Sequence, residues 1–225
     1  IAGTTTFNQG GTLTLGDGAD TTDFVGGLVA TAPSSISAQG TVKADTGSGV
    51  LTLGDSDTGV TVAADLTVGG TSTGTISLGD ATLADGATLT VGAGAANQID
   101  LDAITGTAGS TASNLTINST GVVTVAEALG TDIGTVTVTQ SGGTTFTGTL
   151  AAVTVAITDT ANSQAITFTD SVTIGTGLTT ANGGSDNYNV VLNGSSNSIA
   201  GATTFAQGGM LTLGDGTGDS TDFAG

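Results

Sequence analysis

The chain repeats its own opening near its end. Residues 1–18 read IAGTTTFNQGGTLTLGDG, and residues 199–216 read IAGATTFAQGGMLTLGDG, with differences at only three positions. The stretches that follow, GADTTDFVGG and GTGDSTDFAG, align with one inserted residue, as happens when only a loop is free to change length. The period of 198 residues exceeds any single supersecondary repeat. We predict one full unit, residues 1–198, and the start of the next copy, residues 199–225, within a longer array or polymer.

The composition favours a single all-β structure. Glycine occurs 39 times and proline once, and Thr, Ser, Ala, Val and Asp supply most of the rest. Val, Ile and Thr suit a pleated backbone, whereas each glycine inside a helix costs about 1 kcal/mol. The aromatic residues are six Phe and one Tyr, so the core must be thin. No linker or change of texture divides the chain, and helix is expected at most as one turn at 126–130.

Short stretches of alternating apolar and small polar residues recur along the chain, and this period of two indicates strands with one buried face. They are Leu13–Leu15, Leu51–Leu53, Ile76–Leu78, Leu89–Val91, Leu115–Ile117, Val136–Val138, Ile166–Phe168, Val190–Leu192 and Leu211–Leu213. Gly, Asp or Asn follows most of them, which is typical of turns.

The strand spacing predicts a parallel β-solenoid. Most stretches start 20 to 30 residues apart; the gap of 38 implies an unrecognised strand, and the gap of 13 implies two strands in one coil. Coils of roughly 20 to 25 residues give about eight to ten rungs per 198-residue repeat. The alternative is a row of tandem antiparallel β-sandwich domains, which normally need more aromatic residues and more tight hairpin turns than this chain has.

The net charge of −18, with Lys43 as the only basic side chain, argues against binding to nucleic acid or to anionic lipid. The longest apolar run, at 150–157, is too short to span a membrane, and no signal peptide opens the chain. The absence of Cys excludes disulfides and thiolate metal sites. A chain with one Lys and no Arg offers trypsin a single cleavage site, which suits an exposed extracellular material.

The GGTLTLGD stretch and the surrounding Thr/Gly texture resemble the β-strand-repeat regions of large bacterial surface proteins, namely autotransporter passengers, filamentous-haemagglutinin-like adhesins and S-layer proteins. The resemblance lies in the Thr/Gly-rich composition and short strand pattern, and it extends along most of the chain. It implies an extracellular β-solenoid with structural or adhesive work, and it transfers no functional residue.

The residue content argues against catalysis. Nucleophilic catalysis needs a base beside the nucleophile, and the chain has no His or Cys. Two carboxylates suffice for glycan cleavage, and Asp55 with Asp57 and Asp100 with Asp102 are spaced to share a strand face. Groups that bind sugars and tune acidity, such as Arg, Trp and His, are absent. We predict that the protein is not an enzyme.

Calcium is the one cofactor that the residues suggest. Asp17, Asp20 and Asp23 cluster in one stretch, and the copy carries Asp215, Asp219 and Asp222. Oxygen donors with flexible spacing are the ligands Ca²⁺ takes, but no EF-hand loop is present, and a turn-forming role explains the same residues. If the LTLGD and ISLGD strands stack in successive rungs, Asp17, Asp55 and Asp80 would form a ladder of like charges. The repulsion between these carboxylates would be relieved by cations bound between them, by hydrogen bonds to backbone N–H groups, or by rungs that are out of phase.

Two surface features carry weaker expectations. Threonines one residue apart, such as Thr88/Thr90 and Thr135/Thr137/Thr139, would point outward in rows, as in ice-binding solenoids, although their spacing along the chain is irregular. The Asn-x-Ser/Thr sequences at Asn114, Asn118 and Asn193 permit glycosylation.

The sequence therefore favours a structural protein, a unit that self-associates end to end into an extracellular fibre, sheath or surface layer. Stacking of an identical open edge would satisfy the unpaired strands at the ends of each unit. The alternatives are the stalk or passenger of an adhesin, with contact to glycans or a cell surface, and a strand-donating pilus-like subunit.

Overall fold

The polypeptide winds into ten stacked coils whose strands form three walls around a narrow core. The computed structural model describes residues 1–225 and contains 25 strands, no helix and only parallel pairings. One ten-stranded sheet forms the first wall, and a bent fifteen-stranded sheet forms the second and third walls. The tenth coil ends after its second wall. The parallel solenoid that the sequence predicts is confirmed, and antiparallel sandwiches are excluded.

The strands of the first wall each supply one rung per coil. They are β1 (Thr5–Thr6), β4 (Leu28–Ala30), β6 (Leu51–Leu53), β8 (Ile76–Leu78), β11 (Ile99–Leu101), β14 (Val123–Val125), β17 (Thr144–Phe146), β19 (Ala165–Phe168), β21 (Tyr188–Leu192) and β24 (Gly208–Leu213).

Some strands belong to both the second and the third wall, because the chain bends at the corner while its hydrogen-bonded pairing continues. The second wall holds β2 (Thr12–Leu15), β9 (Ala81–Leu83), β12 (Ile104–Gly106), β15 (Leu129–Gly130), β22 (Ser196–Ile199) and β25 (Ser220–Phe223). The third wall holds β3 (Thr21–Asp23), β10 (Thr88–Val91), β13 (Ser113–Asn118), β16 (Ile133–Gln140) and β23 (Thr204–Phe205). Four long strands span both: β5 (Ser35–Lys43), β7 (Val60–Gly69), β18 (Leu150–Ile157) and β20 (Val172–Thr180).

All nine stretches that the sequence predicts as strands are strands, but they lie on different walls. Leu13–Leu15 is on the second wall, Leu89–Val91 is on the third, and Leu51–Leu53 is on the first. The 38-residue gap contains three further strands, β3, β4 and β5, where the spacing implied one, and the 13-residue gap separates the first and third walls of one coil. Residues 126–130, for which the sequence allows at most one helical turn, contain strand β15 and no helix.

The core is one cluster of 47 buried apolar residues that runs the length of the solenoid. Its columns follow the strand register, because inward residues of successive coils pair directly. Phe146 lies above Phe168 in one such column, with ring centroids 5.1 Å apart and planes 6° from parallel. Leu, Ile and Val occupy most of the other inward positions, and these aliphatic side chains fill the narrow core with few aromatic residues.

Candidate functional site: the open edge of the last coil

The uncovered edge of the tenth coil carries the largest group of exposed apolar side chains. Met210 is 65% exposed, and Leu213 48%. Leu211 and Phe223, at 36% and 38%, line an apolar depression of about 330 Å³ together with Phe205. Leu211, Leu213 and Phe223, whose counterparts in the first copy are buried, are therefore left in contact with solvent here, whereas Met210 replaces the exposed Thr12.

The same sequence is covered in the first copy. Leu13 and Leu15, which correspond to Leu211 and Leu213, are 7% and 6% exposed. They lie in register with Ile36 and Ala38 of the second coil. The apolar edge is thus a property of the repeated sequence, and the residues that follow it in the first copy are the ones that cover it.

The two copies of the repeat occupy different walls. In the first copy, Leu13–Leu15 lies on the second wall, where it pairs with β5. In the second copy, Leu211–Leu213 lies on the first wall, where it pairs with β21. The other strands shift in the same direction: β1 is on the first wall, whereas its counterpart β23 is on the third. The sequence predicts that both copies present one identical edge, and the structure corrects this by about one third of a turn.

The coil length explains the shift. Thr6 and Thr212 occupy equivalent positions on the first wall nine coils apart, and they are separated by 206 residues, eight more than the repeat. Thr14, the residue eight positions after Thr6, is on the second wall and is the counterpart of Thr212. The 198-residue repeat is therefore nine coils less one wall.

The predicted calcium residues of the first copy lie partly in a turn and partly in a strand. Asp17 and Asp20 occupy the turn between β2 and β3, where the backbone N–H of Asp17 donates to Asp20 Oδ2 at 3.4 Å. A side-chain hydrogen bond with Asp20, together with the negative charge of Asp20, raises the pKa of the Asp17 carboxyl. Asp23 lies in β3, with Oδ1 buried and unpaired.

The second copy closes its turn in the same way despite the inserted residue. Asp219 Oδ2 accepts hydrogen bonds from the backbone N–H groups of Asp215, at 2.9 Å, and Gly216, at 2.8 Å. Asp222 lies in β25, in register with Ser198. Nowhere in the chain do three or more acidic side chains form a group able to hold a metal ion. The turn-forming role accounts for the retained Asp20 and Asp219, and calcium binding stays a prediction.

The ladder of like charges exists, but with different members. Asp55, Asp80 and Asp102 follow the first wall in three successive coils, whereas Asp17 follows the second wall and is out of phase with them. Asp55 accepts the N–H groups of residues 57 and 58, and Asp80 accepts that of residue 103 at 3.2 Å. Burial, followed by the charges of Asp80 and Asp55, raises the pKa of Asp102.

Acidic residues also secure the corner between the second and third walls. The largest depression on the surface, of about 520 Å³, lies there and includes Asp65 and Asp85. Asp65 Oδ1 accepts the backbone N–H of Thr88 at 2.8 Å, and Asp85 Oδ1 accepts that of Thr111 at 2.9 Å. Each bond joins one coil to the next, so these carboxylates stabilise the stacking of coils.

Sequence reasoning missed a buried polar ladder at the corner between the third and first walls. Ser119 Oγ donates to Asn97 O at 2.5 Å and to Ala95 O at 3.1 Å, and Asn97 Nδ2 donates to Ser72 O at 2.9 Å. Ser72 Oγ in turn donates to Gly49 O at 2.7 Å. The available signal is the Ser-x-Gly triplet that precedes a first-wall strand, at 72–74, 119–121 and 141–143.

The outward threonines form a regular row on the third wall. Turns of different length absorb the irregular spacing along the chain, and the strand register places one hydroxyl per coil, about 4.8 Å apart. The row contains Thr21, Thr41, Thr67, Thr90, Thr116, Thr137, Thr179 and Thr204, with Ala156 as its one interruption. The ice-binding alternative stays a prediction.

Two of the potential glycosylation sites have side chains engaged between coils. Asn114 Oδ1 accepts the backbone N–H of Thr135 at 2.9 Å, and Asn118 Oδ1 accepts Gln140 Nε2 at 2.9 Å. Asn193 follows β21 and makes no such contact between coils.

No family model, no curated protein and no solved structure matches the chain. No helix in the structure is long and apolar enough to cross a membrane.

Proposed function

We propose that this chain is the repeat unit of a structural β-solenoid, a rod that lengthens by adding the coils of the next copy. The observation that carries the proposal is the open edge at Leu211 and Leu213, which matches an edge that the first copy buries. Burial of an aliphatic side chain contributes about 1.5 to 3 kcal/mol, so covering this edge is favourable.

The first copy also identifies the segment that fits. Leu28 pairs with Thr5, Ile36 pairs with Leu13, and Val42 pairs with Thr22. A segment with the sequence of residues 27–46 would place the same three side chains over the corresponding positions of the second copy. Backbone N–H and C=O groups left unpaired at the edge would be satisfied by the same segment.

The setting we propose is extracellular, as a fibre, sheath or surface layer. The support is compositional: a single lysine, no cysteine, and a strong negative charge that keeps the rods apart and in solution. The ion pair of Lys43 with Asp45, which lowers the pKa of Asp45, uses the only side-chain cation, so repulsion between rods is left uncompensated.

The test is to append a second copy of residues 27–46 after Gly225. We expect a higher melting temperature and reduced fluorescence of a dye that binds apolar surfaces. The matched control carries the same extension with aspartate at the positions of Leu28, Ile36 and Val42, and it should melt like the unextended chain. An extension that stays unstructured, with dye fluorescence unchanged, would contradict the proposal.

A further inference from the structure

The repeat is not a whole number of coils long. One repeat of 198 residues covers nine coils less one wall, since Thr14 on the second wall corresponds to Thr212 on the first. A continuous solenoid keeps its walls aligned from coil to coil, because each strand pairs with the strand before it. Each copy is therefore one wall short of a whole number of coils, and the next copy begins one wall earlier in the coil.

The three walls are chemically interchangeable, which makes the shift tolerable. Each wall presents alternating inward apolar and outward small polar residues, as in Leu-Thr-Leu at 51–53, Leu-Thr-Val at 89–91 and Ala-Thr-Leu at 81–83. The repeated Leu-Thr-Leu triplet fits the second wall at residues 13–15 and the first wall at 211–213 with the same inward positions.

The corner turns are equally tolerant. The turn closed by Asp20 lies between the second and third walls, whereas the one closed by Asp219 lies between the first and second. Both turns are exposed, and one differs from the other by an inserted residue. A turn that makes its own hydrogen bonds imposes no particular corner on the sequence.

We infer that successive copies in an array start one wall apart, so that each surface feature of the unit faces three directions in turn and returns after three copies. This inference rests on the proposed function, because it applies to copies joined in one continuous solenoid. Three repeats then cover 26 coils, about 125 Å of rod at about 4.8 Å per coil. A turn or wall that binds a ligand would therefore face three directions around the rod in successive copies. In a flat lattice whose contacts lie on one side of the rod, the same feature would be available only in every third copy.

The experiment compares two three-copy proteins. The first joins three copies of residues 1–198 and ends with residues 199–225, and each copy carries a biotin-acceptor tag after Gly18, beside the point where the second copy has its extra residue. The second is the matched control, three copies of residues 6–211 with the same tags, in which the unit is 206 residues and a whole number of coils.

Streptavidin bound to the tags is located around the rod by electron microscopy. We expect the tags of the natural repeat to advance by about one third of a turn per copy relative to the control, whose tags follow only the intrinsic twist of the solenoid. A continuous rod with the same tag rotation in both proteins would overturn the inference and leave the proposed function intact. Separate globules joined by linkers would overturn both.

Discussion

Phe205 and Phe223 meet edge to face, with ring centroids 6.0 Å apart and planes at 88°, and their counterparts Phe7 and Phe24 meet in the same way at 6.2 Å and 85°. Phe7 and Phe24 join the first and third walls, whereas Phe205 and Phe223 join the third and second, so the contact belongs to the repeated sequence and not to a place in the fold. What differs is the cover: Phe24 is 1% exposed and Phe223 is 38% exposed.

The Phe24→Ala substitution should therefore cost more than Phe223→Ala. Removing a fully buried Phe costs about 3 to 5 kcal/mol, and we expect less than half of that for the partly exposed Phe223. Urea denaturation of each variant gives the free energy of unfolding. In the chain extended by residues 27–46, the cost of Phe223→Ala should rise toward that of Phe24→Ala. Equal costs in the unextended chain would show that the edge is already covered, for example by self-association.

The fold could be predicted from the sequence because its signals are local. Alternation of Leu, Thr and Leu within three residues marks a strand, and coils of nearly constant length add up along the chain. The wall of each strand could not be predicted, because all three walls carry the same pattern. Only the sum of nine coil lengths, from Thr6 to Thr212, reveals the shift, and each turn contributes its own variation to that sum.

The acidic residues show the same limit. The sequence predicts turns at Asp20 and Asp219, and the structure has them. It could not identify Asp102 as a member of the charge ladder, since that depends on which coil each turn joins. The buried ladder through Ser119 was missed for a related reason: a serine in a Gly-rich stretch has the appearance of a loop residue until the coils are stacked.

Ser119 offers a direct test of that buried ladder. Its hydroxyl donates to two carbonyl oxygens and accepts the N–H of Gly121 at 3.0 Å, and the side chain is fully buried. Ser119→Ala leaves Asn97 O and the N–H of Gly121 without this partner, whereas Ala95 O keeps its hydrogen bond from the backbone N–H of Thr120. We expect a loss of about 1 to 3 kcal/mol in the free energy of unfolding. The matched control is the neighbouring exposed Thr120, where substitution by Ala should change stability by no more than about 0.5 kcal/mol. Similar losses at both positions would argue against a specific role for the ladder.

Asp102 should make stability depend on pH. Its pKa is raised in the folded chain by burial and by Asp80 and Asp55, so the folded state holds a proton that the unfolded state has already released. Stability therefore falls as the pH rises from the ordinary Asp pKa, about 3.9, through the raised value. Above that window, the ionised Asp102 destabilises the fold, and Asp102→Asn should raise the urea midpoint at pH 7 but leave it nearly unchanged at pH 3.

The matched control for this prediction is Asp57→Asn, which removes the same charge from an exposed turn residue that follows the same wall. We expect a smaller rise in the urea midpoint at pH 7 for this variant, because Asp57 is not buried against the ladder. If both substitutions stabilise the chain equally, the effect comes from the overall charge of −18 and not from the burial of Asp102 near Asp80 and Asp55.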